Sequence, residues 1–113
     1  MKVSFSDSAL IDLEQIIQYY GDQQIPHVGK ELVTGIVSRI ESLSDHPEIG
    51  RKVPEFDDQN IRELIHPPFR IVYVREKLNI YIVRVWRSER MLVLSDDKRI
   101  LPVFVGTMGL LSQ

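Results

Sequence analysis

The chain of 113 residues contains no cysteine, which excludes disulfides, thiolate zinc sites and a cysteine nucleophile together. That suits a reducing compartment. It also lacks any apolar run near the roughly 20 residues that cross a bilayer. The opening MKVSFSDSALIDLE places polar and acidic residues where a secretory leader needs an apolar stretch. A cytoplasmic protein with no membrane partner is therefore expected. Neither a GxGxxG fingerprint nor a P-loop is present, so no nucleotide cradle is expected. His27, His46 and His66 have no metal-ligand spacing and are expected at the surface. Glu55, Asp57 and Asp58 read as a solvated acidic turn. No metal and no cofactor are expected, and repeats, low-complexity segments and domain linkers are missing.

What is present is ordinary in amount and uneven in placement. Apolar residues make up 43% and charged residues 27%, the composition of one globular domain with a single modest core. Residues 1–61 hold five basic and eleven acidic side chains, a balance of −6. Residues 62–90 hold seven basic and three acidic, a balance of +4. The net charge of −2 argues against non-specific coating of nucleic acid, whereas the local excess permits an anionic partner.

Lys2–Phe5 alternates as a short strand. Ser6 stands at a helix N-cap with Asp7 in the positive first turn. Leu10, Leu13, Ile16, Ile17 and Tyr20 then repeat at helical spacing, which predicts one amphipathic helix over about Asp7–Tyr20, ended by Gly21. Pro26 opens a second helix with Val28, Leu32, Val33, Ile36, Val37, Ile40 and Leu43 along its apolar stripe, stopped by Pro47. Residues 47–60 carry two prolines and a glycine and read as a loop. Ile61–Ile65, Phe69–Arg75 and Ile80–Arg87 read as three strands joined by His66-Pro67-Pro68 and by Glu76–Asn79. The expected fold is α+β: an N-terminal strand and an antiparallel two-helix hairpin on one face of a three- to four-stranded, mainly antiparallel sheet. Phe69, Ile71 and Tyr73 should share one face, and Ile80, Ile82, Arg84 and Trp86 another.

The strands carry Arg62, Arg70, Arg75, Arg84, Arg87 and Arg90 among β-branched and aromatic residues. A guanidinium is always charged and costly to bury alone, so such a set needs a reason. Side by side on a ladder, like charges repel unless carboxylates, solvent or an anionic ligand intervene. A phosphate matches the guanidinium fork well. Ordinary pairing of Arg62 and Arg70 with Glu63, Glu89 or helix acids is the alternative, and the residues alone leave both open.

The order of SALIDLEQIIQYY, RIESLSDHPEIGRKV, IRELIHPPFRIVYVR and IYIVRVWRSERM resembles the ParE/RelE superfamily of type II toxin–antitoxin toxins. The resemblance covers residues 1–92, with 93–113 as an extension of no assigned role in which Arg99–Val105 could form a further strand. It implies a toxin that inhibits growth and is neutralised by a cognate antitoxin in a hetero-oligomer, the antitoxin wrapping a C-terminal segment over the helices and sheet. One branch poisons DNA gyrase and blocks replication. The other cuts messenger RNA on the ribosome with strand cations and a terminal tyrosine or histidine. Arg70 matches the strand arginine of the FRIVY string, and Arg90 matches the arginine of an HGARD-like element. Arg87 replaces the histidine of that element, and Met91 replaces its aspartate. Ribonuclease chemistry would use Arg70 and Arg87, with Lys52, as cations on the phosphorane. Leu94 stands where a catalytic tyrosine is usual, and Tyr73 and Tyr81 read as packing residues. The missing acid–base group favours the gyrase branch, with Arg62, Arg84, Arg90 and Lys52 meeting the target. The ribosome-dependent endoribonuclease is the alternative.

Overall fold

A computed structural model of the chain describes residues 1–88, 92–94 and 100–102. In chain order these form β1 (Lys2–Phe5), α1 (Asp7–Asp22), α2 (Pro26–Glu41), a 3-10 turn at Ser42–Ser44, β2 (Arg51–Lys52) and β3 (Ile61–His66). β4 (Phe69–Arg75), β5 (Asn79–Arg87), β6 (Leu92–Leu94) and β7 (Ile100–Pro102) follow. A five-stranded sheet runs β1-β5-β4-β3-β2, and β6 pairs with β7 in a separate antiparallel ribbon. The expected α+β hairpin-on-sheet architecture is present, with two differences. The sheet has a fifth strand, because the proline-rich loop contributes Arg51 and Lys52 opposite Glu63 and Arg62. The sheet is also mixed, since β1 lies parallel to β5 while the other pairs are antiparallel.

Local signals explain the helices. The Ser6 side chain accepts from the Ala9 N–H at 2.9 Å, and its own hydroxyl donates to the Val83 carbonyl at 2.7 Å. One residue thus caps α1 and ties it to β5. At the other end α1 runs past Gly21 to Asp22, correcting the expected stop. The Ile25 N–H reaches the Tyr20 carbonyl and the Gln24 N–H reaches that of Gly21, a Schellman closure with Gln24 at φ 67°. The left-handed residue is a glutamine, so the glycine signal points three residues too early. Pro26 takes the first-turn position of α2 as expected.

The core lies between the helices and one sheet face. Ala9, Leu13, Ile16, Ile36 and Ile40 pack with Leu64, Phe69, Ile71, Tyr73, Ile80 and Ile82. The expected facing of β4 therefore holds, whereas that of β5 changes along the strand. Val72 lies opposite Arg84 but Tyr73 lies opposite Ile82, which leaves Val83 as the extra residue of a bulge. Beyond it Val85 joins the core with Ile80 and Ile82, and Trp86 turns to the other face. There Val53, Val72 and Trp86, with Phe56 and Ile61, build a second small cluster. Residues 53–60 thus cover part of the sheet face that the helices leave bare. Leu10 and Ile17, placed in the single apolar stripe of α1 by periodicity, are 46% and 39% exposed. α1 buries the Ala9–Leu13–Ile16 side instead.

Candidate functional site

Arg70 on β4 and Arg51 on β2 meet on the sheet face away from the helices, and carboxylates come with them. Glu63 on β3 is 1% exposed and sits beside Arg70, 7% exposed, on β4. The Arg70 guanidinium donates from Nε to Glu63 Oε1 at 2.8 Å and from Nη2 to the same oxygen. Its Nη1 and Nη2 also reach Glu55 at 3.4 and 3.5 Å. Arg51 of β2 donates to the second Glu63 oxygen at 2.5 Å. Glu55 is therefore half-buried and paired with Arg70, not part of the solvated turn, while Asp57 and Asp58 are exposed as expected. Two cations and two carboxylates close on each other, and this bolts residues 51–55 onto the sheet.

Arg84 forms a second pair. Its Nε and Nη2 donate to the two oxygens of Asp12 on α1 at 2.8 and 2.9 Å, a fork-on-carboxylate match. Asp12 also accepts the Val85 N–H at 2.8 Å, past the point where β1 ends. Asp12 thereby satisfies an edge donor of β5 that would otherwise stand unpaired. The Arg84 guanidinium lies 4.8 Å from the Trp86 ring centroid, a cation–π contact.

The remaining cations are spread over the sheet. Arg87 donates to the Tyr20 hydroxyl at 3.4 Å and lies over the Phe69 ring. Arg62 donates to the Gly50 carbonyl at 2.9 Å, and Arg75 pairs with Glu48 at 3.2 Å. Lys52 is half exposed, 3.5 Å from the exposed Asp57. Arg90 lies outside the described residues, as do Met91 and the ends of the expected Arg99–Val105 strand. The sequence assigns Arg70 and Arg87 to a ribonuclease site and Arg62, Arg84, Arg90 and Lys52 to a target contact. In the structure Arg70 and Arg84 belong to two separate ion-paired clusters, and Arg62 and Lys52 lie together across β2 and β3.

Tyr73 packs as expected, its ring fully buried. Its hydroxyl also anchors the loop before β2, accepting the Gly50 N–H at 2.9 Å and donating to the Pro47 carbonyl at 3.0 Å. Burial pushes its pKa above the ordinary 10.0, and the Gly50 N–H partly opposes that shift. The expected surface position holds for His27 and His46. His66 instead is half-buried, its ring so close to Gly35 that a Cβ there would lie 2.7 Å from Nε2. Among the described residues no group of three His, Cys, Asp or Glu side chains could hold a metal ion. No helix among them is long and apolar enough to cross a membrane.

Two helices on a mixed five-stranded sheet, with strand guanidiniums held by carboxylates, define a small α+β domain of the toxin class that the sequence resembles. The family model of the ParE toxin of type II toxin–antitoxin systems (parDE) matches residues 3–92, and the chain belongs to that family. Among solved structures it is similar to a chain of the chromosomal ParDE toxin–antitoxin system from P. aeruginosa, at TM-score 0.66 and 24% identity. That match covers 77% of this chain and 95% of the other, and it is a likeness of fold. No curated protein matches the chain in sequence.

Proposed function

We propose that this ParE-family toxin acts in the cytoplasm on DNA gyrase through protein–protein contact, without a catalytic step of its own, and is neutralised by a cognate antitoxin. The observation that carries this reading is the state of Arg70. A phosphate clamp needs a guanidinium that can turn its donors to a phosphorane, and Arg70 spends its donors on Glu63 and Glu55 while almost wholly buried. Family membership supports the antitoxin partner and the gyrase branch. Lys52, Arg62 and Arg84 are the described cations proposed to meet the target. Lys52 keeps 48% and Arg84 30% of its side chain in solvent, which leaves each able to contact a partner while paired.

The test is a supercoiling assay with purified gyrase and relaxed plasmid. Addition of the toxin should block supercoiling or accumulate cleaved DNA, and prior mixing with the antitoxin should restore activity. Full supercoiling at a tenfold excess of folded toxin would overturn the reading. Cleavage of ribosome-bound messenger in a parallel reaction would replace it with the ribonuclease alternative.

A further inference from the structure

Lys52 and Arg62 stand directly opposite each other on β2 and β3, and Arg62 in turn stands opposite the core residue Tyr73 on β4. Arg75, two residues beyond Tyr73 on the same face, is the diagonal neighbour of Arg62, within reach of a long side chain. Three cations thus gather at one end of the helix-side face, opposite to the face that carries Arg70. Like charges set directly across a ladder destabilise it. Arg51, Arg70, Arg75 and Arg84 each have a carboxylate, whereas the half-buried Arg62 has none among the described residues. Its Nη1 donates to the Gly50 carbonyl, and its Nε is out of solvent with no acceptor. The Nε of Arg75 is likewise buried and unpaired, although its Nη2 reaches Glu48. A buried N–H without an acceptor is costly, and two in one cluster call for a reason. The loop held over this end by Tyr73, Arg62 and Arg75 opens a shallow cleft of about 530 Å³ lined by His46, Pro47, Glu48 and Ile49.

We propose that this end of the sheet is a binding site for a phosphate group, held between the guanidiniums of Arg62 and Arg75 with the Lys52 ammonium beside them. The carboxylates at hand, Glu48 on Arg75 and the exposed Asp57 at 3.5 Å from Lys52, leave the cluster one positive charge in excess and both Nε donors unmet. A tetrahedral phosphate carries enough oxygens to accept from two guanidinium edges at once, whereas a planar carboxylate matches one fork. Entry is through the cleft, with the 60% exposed Glu48 side chain turning aside. The site goes beyond the proposed function and holds whether or not gyrase is the target. Because Lys52 and Arg62 are also proposed to meet that target, the test is read on phosphate binding alone.

The probe is inorganic phosphate, titrated at constant ionic strength into the full-length, isotope-labelled chain and followed by amide NMR shifts, with acetate and AMP in parallel. Phosphate should bind saturably, with shifts centred on residues 47–52, 62 and 75, and at least tenfold tighter than acetate. Arg62→Gln and Arg75→Gln should each lose at least tenfold in affinity, and Arg62→Lys, which keeps the charge but not the fork, should lose nearly as much. Glu48→Gln removes the competing carboxylate and should tighten binding about threefold, a gain that damage to the fold would not produce. Lys30→Gln, the same loss of charge at an exposed position on α2, should leave the affinity unaltered. AMP as tight as phosphate would assign the site to a phosphomonoester, and AMP much weaker would assign it to the free ion. Unchanged affinity in Arg62→Gln and Arg75→Gln, equal affinity for acetate, or a Glu48→Gln variant that binds no better would overturn the proposal. Phosphate binding together with full supercoiling would keep this site and remove the gyrase reading, and a block of supercoiling without phosphate binding would do the opposite.

Discussion

Glu63 is the residue on which the sheet face away from the helices depends. Its carboxylate is out of solvent and accepts from both Arg70 and Arg51, so its removal leaves the buried Arg70 with only the longer Glu55 contacts. Breaking a buried pair by deleting one partner costs about 3–5 kcal/mol, because the other charge remains desolvated. Glu55 offsets part of that. Glu63→Gln should therefore lower the unfolding free energy by roughly 3 kcal/mol in urea titration. Arg51→Ala removes the other partner of the same carboxylate, but its side chain is 63% exposed and the change should stay within about 1 kcal/mol. Equal losses for the two would show that Arg70 is not the stabilised cation. The contrast also separates roles, since a variant at Arg70 that abolishes toxicity without loss of fold would make it a target contact rather than a structural one.

Residues 46–52 form the element least visible in the sequence, and Tyr73 holds them. The phenol bridges Gly50 and Pro47, and the backbone passes so near that a Cβ on Gly50 would lie 2.6 Å from the Tyr73 hydroxyl. A tyrosine whose folded pKa is raised keeps its proton more tightly in the native state than in the unfolded one. Its contribution is thus complete below the unfolded value of 10.0 and is lost as pH rises through the folded value. Wild-type stability should decline above about pH 10, and Tyr73→Phe should flatten that decline while costing about 1–3 kcal/mol at neutral pH for the unpaired Gly50 N–H. Denaturant melts across pH 7–11 for both proteins check the sign and the size. The helices, by contrast, were legible because their signals are local: a serine cap, a first-turn proline and a regular apolar period. The short β2 was hidden, since two residues among prolines and acids carry no alternation. The bulge at Val83 was hidden as well, because Ile80–Trp86 is apolar on both sides and either facing fits the pattern. Carboxylate pairing was legible as an alternative for Arg70, seven residues from Glu63, but the Asp12–Arg84 pair spans 72 residues and needs the tertiary fold to appear.

At the scale of the whole molecule, the charge division of the sequence survives in space but is largely neutralised. The helix layer keeps on its outside acids that have no ion pair among the described residues. The strands hold the basic excess, yet Arg51 and Arg70 share Glu63, Arg84 is matched by Asp12, and Arg75 by Glu48. A protein that tracks a phosphate backbone shows the reverse: cations stand free, counterions are released on binding, and affinity falls steeply with salt. Internal pairing weakens that driving force, because Arg51, Arg70, Arg75 and Arg84 would each have to abandon a carboxylate before meeting a phosphate. The folded toxin should therefore bind a 20-nucleotide single-stranded RNA no tighter than the roughly 1 µM to 100 µM of non-specific contact at physiological salt. Fluorescence anisotropy from 50 to 200 mM salt measures this directly. Tight binding with a loss of about a thousandfold over that range would mean about seven or more phosphates neutralised, which the pairing of Arg70 and Arg84 cannot supply. An affinity that is weak and nearly flat in salt would place the activity of this toxin in contacts between proteins, where a paired cation at the rim steers a partner without being stripped of its carboxylate.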